Sequence, residues 1–209
     1  MPAAGAVRRR FAGRRGASGL TMIELIIGIA IMALVLGLGI PSISQWLNNS
    51  QIRTAAESTL AGLQLARGEA VRRNQNVRFQ LVSALTSACT VSTSGTHWIV
   101  SLADPAGKCD VAPSETTAPQ TIQVRDGAET PKAVLAATGA ALVTFTGSGR
   151  PSGSTYMTQV DITNPTGGTC EHATAGSPMR CLRIIITSGG RIKMCDPKVT
   201  DTTDPRICA

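Results

Sequence analysis

Residues 19–25 read Gly-Leu-Thr-Met-Ile-Glu-Leu, and they join a short basic leader to an apolar run that continues to Ile40. One carboxylate, Glu24, lies inside the start of that run. An unpaired carboxylate in lipid is costly on every transfer scale. A segment that only anchors has no reason to carry it. A segment that packs against other subunits has one, because Glu24 can then pair with a neighbour's positive terminus.

Upstream, residues 1–19 hold Arg8, Arg9, Arg10, Arg14 and Arg15 and no acid. Flanking arginines keep that end in the cytoplasm, and such a processing segment is left out of the fold. A secretory signal is cut after its apolar core, at small residues. Here the indicated cut, between Gly19 and Leu20, precedes the core, so the apolar stretch stays as a permanent helix. Leu20 to Ile40 spans 21 residues, about 32 Å as a helix and enough to cross a bilayer. Thr21 and Glu24 are its main polar interruptions, and Pro41 follows as the 22nd residue after the cut. This arrangement resembles the processing and assembly signal of type IV pilins and pseudopilins, which typically carry a proline at that mature position. A generic single-pass anchor gives no reason for leader, cut site, Glu24 and Pro41 to agree in register.

Beyond Pro41, where a bend is expected, the helical pattern resumes. Ile43, Trp46, Leu47, Ile52, Ala55, Ala56, Leu60, Leu63, Ala66 and Ala70 recur mostly at three- and four-residue spacing, as an amphipathic helix requires. One kinked helix over about 20–74 is predicted. The organisation is then a leader over 1–19, a transmembrane helix over 20–40, its amphipathic continuation over 41–76 and a β-rich domain over 77–209.

The chain has 209 residues and a formal charge of +7, but removing the five leader arginines leaves 15 bases against 13 acids. A net of +2 supports no broadly basic surface, so any nucleic-acid site must be a local patch. The six cysteines, Cys89, Cys109, Cys170, Cys181, Cys195 and Cys208, all follow the apolar run. With the leader inside, they face a compartment where disulfides persist. Six cysteines allow fifteen connectivities. Local pairing, 89–109, 170–181 and 195–208, is expected because each bond closes a polar loop. Zinc is the rival, yet no Cys-x-x-Cys occurs and His172 stands only two residues from Cys170. No metal and no cofactor are expected.

From residue 77 the pattern changes to short β-type runs separated by Gly, Pro, Ser and Thr. Strands are predicted at 77–83, 97–102, 120–124, 132–136, 141–146, 156–162, 181–187 and 191–195, with loops at 103–119 and 164–180. The fold class is α+β: an antiparallel β domain packed on the C-terminal half of a long helix. In the last hairpin, a Ser188-Gly189-Gly190 loop with one glycine in the left-handed region sets Ile186 opposite Ile192, Ile185 opposite Lys193 and Ile184 opposite Met194. One face then collects Leu182, Ile184, Ile186, Ile192 and Met194. The other collects Arg183, Ile185, Thr187, Arg191 and Lys193.

The segment Leu63 to Phe79, with Leu-Gln-Leu-Ala-Arg-Gly-Glu-Ala-Val-Arg-Arg-Asn, resembles the helix end of the GspH/FimT family of pseudopilins and minor pilins. The Trp98-Ile99-Val100 strand and the Gly190-Arg191 hairpin fit the same family. The resemblance implies a type IV pilin-like fold and cleavage after Gly19 by a prepilin peptidase. It also implies methylation of the new terminus at Leu20 and storage in the bacterial inner membrane, with the C-terminal domain in the periplasm. Glu24 then neutralises an adjacent subunit's amino terminus during fibre assembly. The partners implied are other pilins, the peptidase and inner-membrane lipid.

Three roles follow: a minor pilin of a type IV pilus, a pseudopilin of type II secretion, or a DNA-binding minor pilin for transformation. FimT-like members are associated with DNA capture through Gly-Arg-x-Arg; here Gly190-Arg191-Ile192-Lys193 puts lysine in the last place, which lacks arginine's bidentate fork. Arg191 and Lys193 project together, about 7 Å apart. Arg183 adjoins them, and Lys198 and Arg206 follow in a tail tied by Cys195 and Cys208. The alternative is a solvated strand face that keeps an edge from aggregating, and Asp196, Asp201 and Asp204 share the region. Tyr156 and Trp98 are not interleaved with these bases, so stacking on single strands is not indicated. The late hairpin and closed tail favour the pilus role.

Elsewhere, Arg67, Glu69, Arg72 and Arg73 form a charged helix face with pairs such as Glu69–Arg73, open to a neighbouring pilin. His97 starts a strand and is structural. The 147–154 stretch lacks Walker spacing and lysine. No nucleophile is accompanied by a base, so the chain is expected to be the substrate of an enzyme and not one itself.

Overall fold

Helix α1 (Met22–Arg73) is closed by its own sequence. Asn74 takes the left-handed region at φ 50°. Gln75 N–H then donates to Ala70 O at 3.2 Å, and Asn74 N–H to Val71 O at 3.3 Å. That pair of bonds satisfies carbonyls the helix end leaves free. The computed structural model describes residue 19 and residues 21–208, except the side chains of 38–42. The chain divides into two units, Met1–Pro41 and Ser42–Ala209, and the β domain lies wholly in the second.

Among the described residues nine strands follow the helix: β1 (Val77–Val82), β2 (Ser94–Gly95), β3 (His97–Ser101), β4 (Thr121–Arg125), β5 (Val134–Thr138), β6 (Leu142–Phe145), β7 (Gln159–Thr163), β8 (Leu182–Ile186) and β9 (Ile192–Cys195). They form two antiparallel sheets, ordered β4-β3-β1-β6 and β2-β5-β7-β8-β9. The eight expected strands are present, and the two-residue β2, too short to show alternation, is additional. The strand expected at 156–162 begins only at Gln159, because the residues before it cross between the sheets. Met157 N–H donates to Leu142 O of β6 and Thr158 N–H to Thr138 O of β5.

One core joins the helix to both sheets. Ile52, Ala55, Ala56, Leu63, Ala66 and Ala70 line the helix side, all at most 1% exposed. Thr59 is buried among them and donates its hydroxyl to Ala55 O at 2.7 Å. The opposing residues include Phe79, Leu81, Trp98, Val143 and Phe145 from the first sheet and Leu135, Val160, Ile162, Ile184 and Ile186 from the second. The expected apolar stripe is corrected at its start: Ile43, Trp46 and Leu47 are 59%, 68% and 50% exposed. Helical spacing marks an apolar face but not how far the domain covers it.

Trp98 is the largest buried side chain, packed 5.2 Å from the Phe79 ring between centroids. Its indole lies directly on Gly62, where an added Cβ would come within 2.6–2.9 Å of three ring carbons. The opposite face of the first sheet is also covered. Val82, Cys89, Ile99 and Cys109 form a second cluster there, with Leu85 and Val124. A bulge at Val100/Ser101 in the β3–β4 pairing shifts the alternation, so Ile122 joins the main core while Val124 joins this cluster.

Polar helix side chains fasten the loops. Asn49 donates to Pro178 O at 3.0 Å and accepts from Arg180 N–H at 2.8 Å. Gln51 accepts from Lys132 N–H, and Arg67 donates to Gly149 O. Glu69 binds Arg72 and Arg73 at 2.6 and 2.7 Å, and Arg73 reaches Glu115 of the 103–119 loop at 2.9 Å. The three disulfides are Cys89–Cys109, Cys170–Cys181 and Cys195–Cys208, the local pairing expected. Among the described residues no cluster of three potential metal ligands occurs.

Two predictions follow from this packing. Gly62→Ala should lower stability by about 1–3 kcal/mol through overpacking against Trp98. Gly68→Ala, where an added Cβ meets open space, should raise stability by up to about 1 kcal/mol. Denaturant midpoints of both variants check the opposed signs. The second prediction concerns pH. Hydrogen bonds from Arg72 and then Arg73 pull the Glu69 carboxyl from 4.5 down to about 2. Its folded value lies below its unfolded one, so the stabilisation is complete above about pH 4.5 and is lost as pH falls towards 2. Glu69→Gln should flatten the stability profile across that window in urea titrations.

Candidate assembly segment and cationic hairpin

The N-terminal segment is built around a helix cap. Gly19 is exposed, with nothing within 4 Å of a Cβ placed on it. Leu20, the expected methylation site, lies outside the described residues. Thr21 precedes the helix, and its Oγ1 accepts from Glu24 N–H at 3.3 Å while its carbonyl accepts from Leu25 N–H at 3.2 Å. Thr-x-x-Glu at a helix start is the capping-box pattern, and an acid in the first turn suits the helix dipole. The capping bond is made by the Glu24 backbone N–H to Thr21, and the Thr21–Glu24 spacing that marks it was readable in the sequence.

From Met22 to Leu36 every large apolar side chain is between 53% and 87% exposed. A continuous apolar surface of this kind marks a contact site. Among the described residues no helix is long and apolar enough to cross a membrane. The described side chains of the expected 20–40 span are those of 21–37. Helix α1 continues through Pro41, whose side chain lies outside the description, and the division between the two units falls directly after it.

The C-terminal hairpin has the expected register: Ile186 opposite Ile192, Ile185 opposite Lys193 and Ile184 opposite Met194. Gly190 takes φ 81°, Thr187 N–H donates to Arg191 O at 3.0 Å, and Gly190 N–H returns to Thr187 O at 2.8 Å. Space as well as conformation demands glycine here. A Cβ on Gly190 would lie 2.0 Å from Gly149 O. Gly149 in turn accepts from Arg67 on the helix, and Gly147 abuts Asn74 at the helix end. The glycines of the 147–154 stretch thus allow β6's loop to fit between the helix end and the hairpin tip.

The four candidate DNA-contacting cations have different surroundings. Arg183 is paired with Asp161 directly across the β7–β8 ladder at 2.7 Å. Lys193 donates to Ile207 O in the tail at 2.8 Å. Lys198 forms an ion pair with Glu171, which holds that carboxyl below its ordinary value. Arg191 is exposed, and among the described residues its side chain has no partner. Arg150 lies beside the preceding residue, its Cα 3.3 Å from a Cβ placed on Gly190. Arg206 pairs with Asp204. Sequence reasoning placed the cations on one face but missed Asp161 and Glu171, which lie 22 and 27 residues from the cations they hold.

His97 accepts from Gly127 N–H through Nδ1 at 3.2 Å, fastening the short 3-10 turn Gly127–Glu129 to β3. That is the structural place expected for it.

Comparison with known proteins adds to this geometry. Two crystal structures of the type IV minor pilin FimU from Pseudomonas aeruginosa, strain PAO1, are similar to this chain. One shares 15% identity over 72% of this chain and 97% of its own, at a TM-score of 0.43. The other shares 14% over 75% and 97%, at 0.44. No curated protein matches. The family model of the type II transport protein GspH matches residues 55–190. That span, well over half of the sequence, runs from the buried face of α1 to the tip of the β8–β9 hairpin, and the chain belongs to the GspH/FimT-like pseudopilin family.

Proposed function

We propose that this protein is a minor subunit of a type IV pilus. In this reading a prepilin peptidase cuts after Gly19, Leu20 becomes the methylated terminus, and the apolar run holds the subunit in the inner membrane until assembly. The β domain stands in the periplasm, where its three disulfides persist. The chain has no catalytic role and is itself the peptidase's substrate. One observation carries the reading: helix α1 exposes every large apolar side chain from Met22 to Leu36, beginning three residues after Gly19, and buries a different face, Ile52 to Ala70, in its own domain.

In lipid, Glu24 is costly alone, and docking beside a neighbour's amino terminus replaces a bare charge by a paired one. That difference gives assembly its direction. The same chemistry serves a pseudopilin of type II secretion, and the GspH family match favours that system as the second reading. DNA capture draws less support from the hairpin, where Arg183, Lys193 and Lys198 are already engaged and, among the described residues, only Arg191 of the four has no side-chain partner.

The test separates the charge of Glu24 from its place in the Thr-x-x-Glu pattern. Glutamine keeps the capping pattern and removes the charge; alanine removes both. Subunit level in the membrane and subunit content of sheared fibres are measured for Glu24→Gln and Glu24→Ala. Glu24→Gln is expected to accumulate normally while its fibre content falls by about tenfold or more, equivalent to at least ~1.4 kcal/mol. Normal incorporation of the glutamine variant would reduce Glu24 to a helix cap and overturn the charge-driven assembly.

A further inference from the structure

One face of α1 changes character along its length. Ile43, Trp46 and Leu47 recur at three- and four-residue spacing, so they share a face, and all three are exposed. Ser50 follows on that face, exposed and uncharged. Arg53 and Glu57 come next, as an exposed ion pair at 2.8 Å. Arg53 is the first charged residue after Glu24. At 3.6 residues per turn, the buried stripe from Ile52 to Ala70 lies on the opposite side of the helix. The exposed face therefore runs along the axis from apolar, through neutral polar, to charged.

A gradient along the axis matches a boundary that the helix crosses, and the headgroup layer of a bilayer is such a boundary, about 5–8 Å deep on each side. Trp46 stands six residues past Ile40, about 9 Å of helical rise. Helical Cα–Cβ bonds lean towards the N-terminus, which brings the start of its side chain back towards the apolar run. Among the described residues Trp46 is the one exposed aromatic ring, and tryptophan concentrates in the headgroup layer because its ring is amphipathic. Asn49, three residues on, holds the 164–180 loop through Pro178 O and Arg180 N–H. The charges around this end of the domain come in both signs: Arg53 with Glu57, Arg180 and Lys198 with Glu171, Arg206 with Asp204, and Asp196 in the cleft beside Trp46. Four bases meet four acids, so apolar contact, and not charge attraction, selects what this end touches.

We propose that Ile43, Trp46 and Leu47 seat in the headgroup layer of a zwitterionic phospholipid membrane and fix how deeply the stored subunit is sunk. The proposal rests on the membrane-held subunit proposed above. The exposed apolar side chains from Met22 to Leu36 occupy the hydrocarbon, residues 43–47 the layer beyond it, and Arg53 and Glu57 stand in water. The 164–180 loop then lies at the membrane surface, because Asn49 holds it to the helix one turn past Trp46. Entry into a fibre lifts Trp46 out of the layer, so the seat opposes release until assembly draws the subunit away. The seat is independent of whether the fibre serves adhesion or secretion.

The test uses the full-length, disulfide-intact chain reconstituted into phosphatidylcholine vesicles. Trp46 and Trp98 are its two tryptophans, and Trp46→Phe supplies the emission of the buried Trp98 for subtraction. Bromine is placed on the lipid chains either near the headgroup or near the chain end, acrylamide probes from the water, and flotation reports whether the chain stays with the vesicles. Trp46 emission should lie to the blue of its value in water. It should lose most of its intensity to the shallow bromine, little to the deep bromine and little to acrylamide, with no change when salt is raised or anionic lipid is added. A chain that floats with the vesicles while acrylamide quenches Trp46 as fully as free tryptophan would keep the anchor and overturn the seat. Stronger quenching by the deep bromine would place Trp46 in the span itself, and shielding from acrylamide without quenching by either bromine would assign the face to a second protein copy; each overturns the proposal. Failure to float would remove the membrane-held reading and the seat together.

Discussion

The seating of Trp98 on Gly62 is the constraint on which the remaining structure depends. A bulky indole from β3 can approach the helix axis only because position 62 has no side chain. Alanines at 55, 56, 66 and 70 keep the rest of that face low. With few aromatics in the chain, this contact and the aliphatic residues around it carry the core. Each fully buried Leu, Ile or Phe in it contributes about 1.5–3 kcal/mol, so the face from Ile52 to Ala70 outweighs any single ion pair on the surface.

The loops depend on that face indirectly. Asn49, Gln51, Arg67 and Arg73 hold them to the helix by bonds to backbone or, at Glu115, to a carboxylate. The disulfides close loops with separations of 20, 11 and 13 residues, each worth about 3 kcal/mol in the chain-entropy account. A pilin-like subunit needs this division. One stretch of helix is committed to its own domain, and an earlier stretch, from Met22 to Leu36, keeps its apolar side chains available to other molecules.

Much of this was legible in the sequence for identifiable reasons. The β8–β9 register follows from the Gly-Gly turn and the alternation Ile192-Lys193-Met194, because a one-residue slip would take Leu182, Ile184 and Ile186 off the face that Ile192 and Met194 share. The disulfides followed from proximity along the chain. The helix face at 52–70 was legible from its period, but the same period does not show that Ile43, Trp46 and Leu47 stay at least half exposed. Contacts between distant residues were not legible. Gly62 gives no sign of Trp98, Gly190 gives no sign of Gly149, and Arg183 and Lys198 look like free cations until Asp161 and Glu171 are placed beside them. At the candidate site, Glu24 was legible as an unusual charge, and its cap partner Thr21 was visible in the same four residues.

Native-state amide exchange across the whole chain tests the central claim most directly, since it reads the stability of each segment separately. If the helix face from Ile52 to Ala70 holds both sheets together, its amides exchange only through global unfolding, with the same free energy as those of β1, β3 and β8. Exchange of residues 55–70 at the rate of an isolated helix, while the strands stay protected, would show that the sheets stand without the helix and would contradict the account.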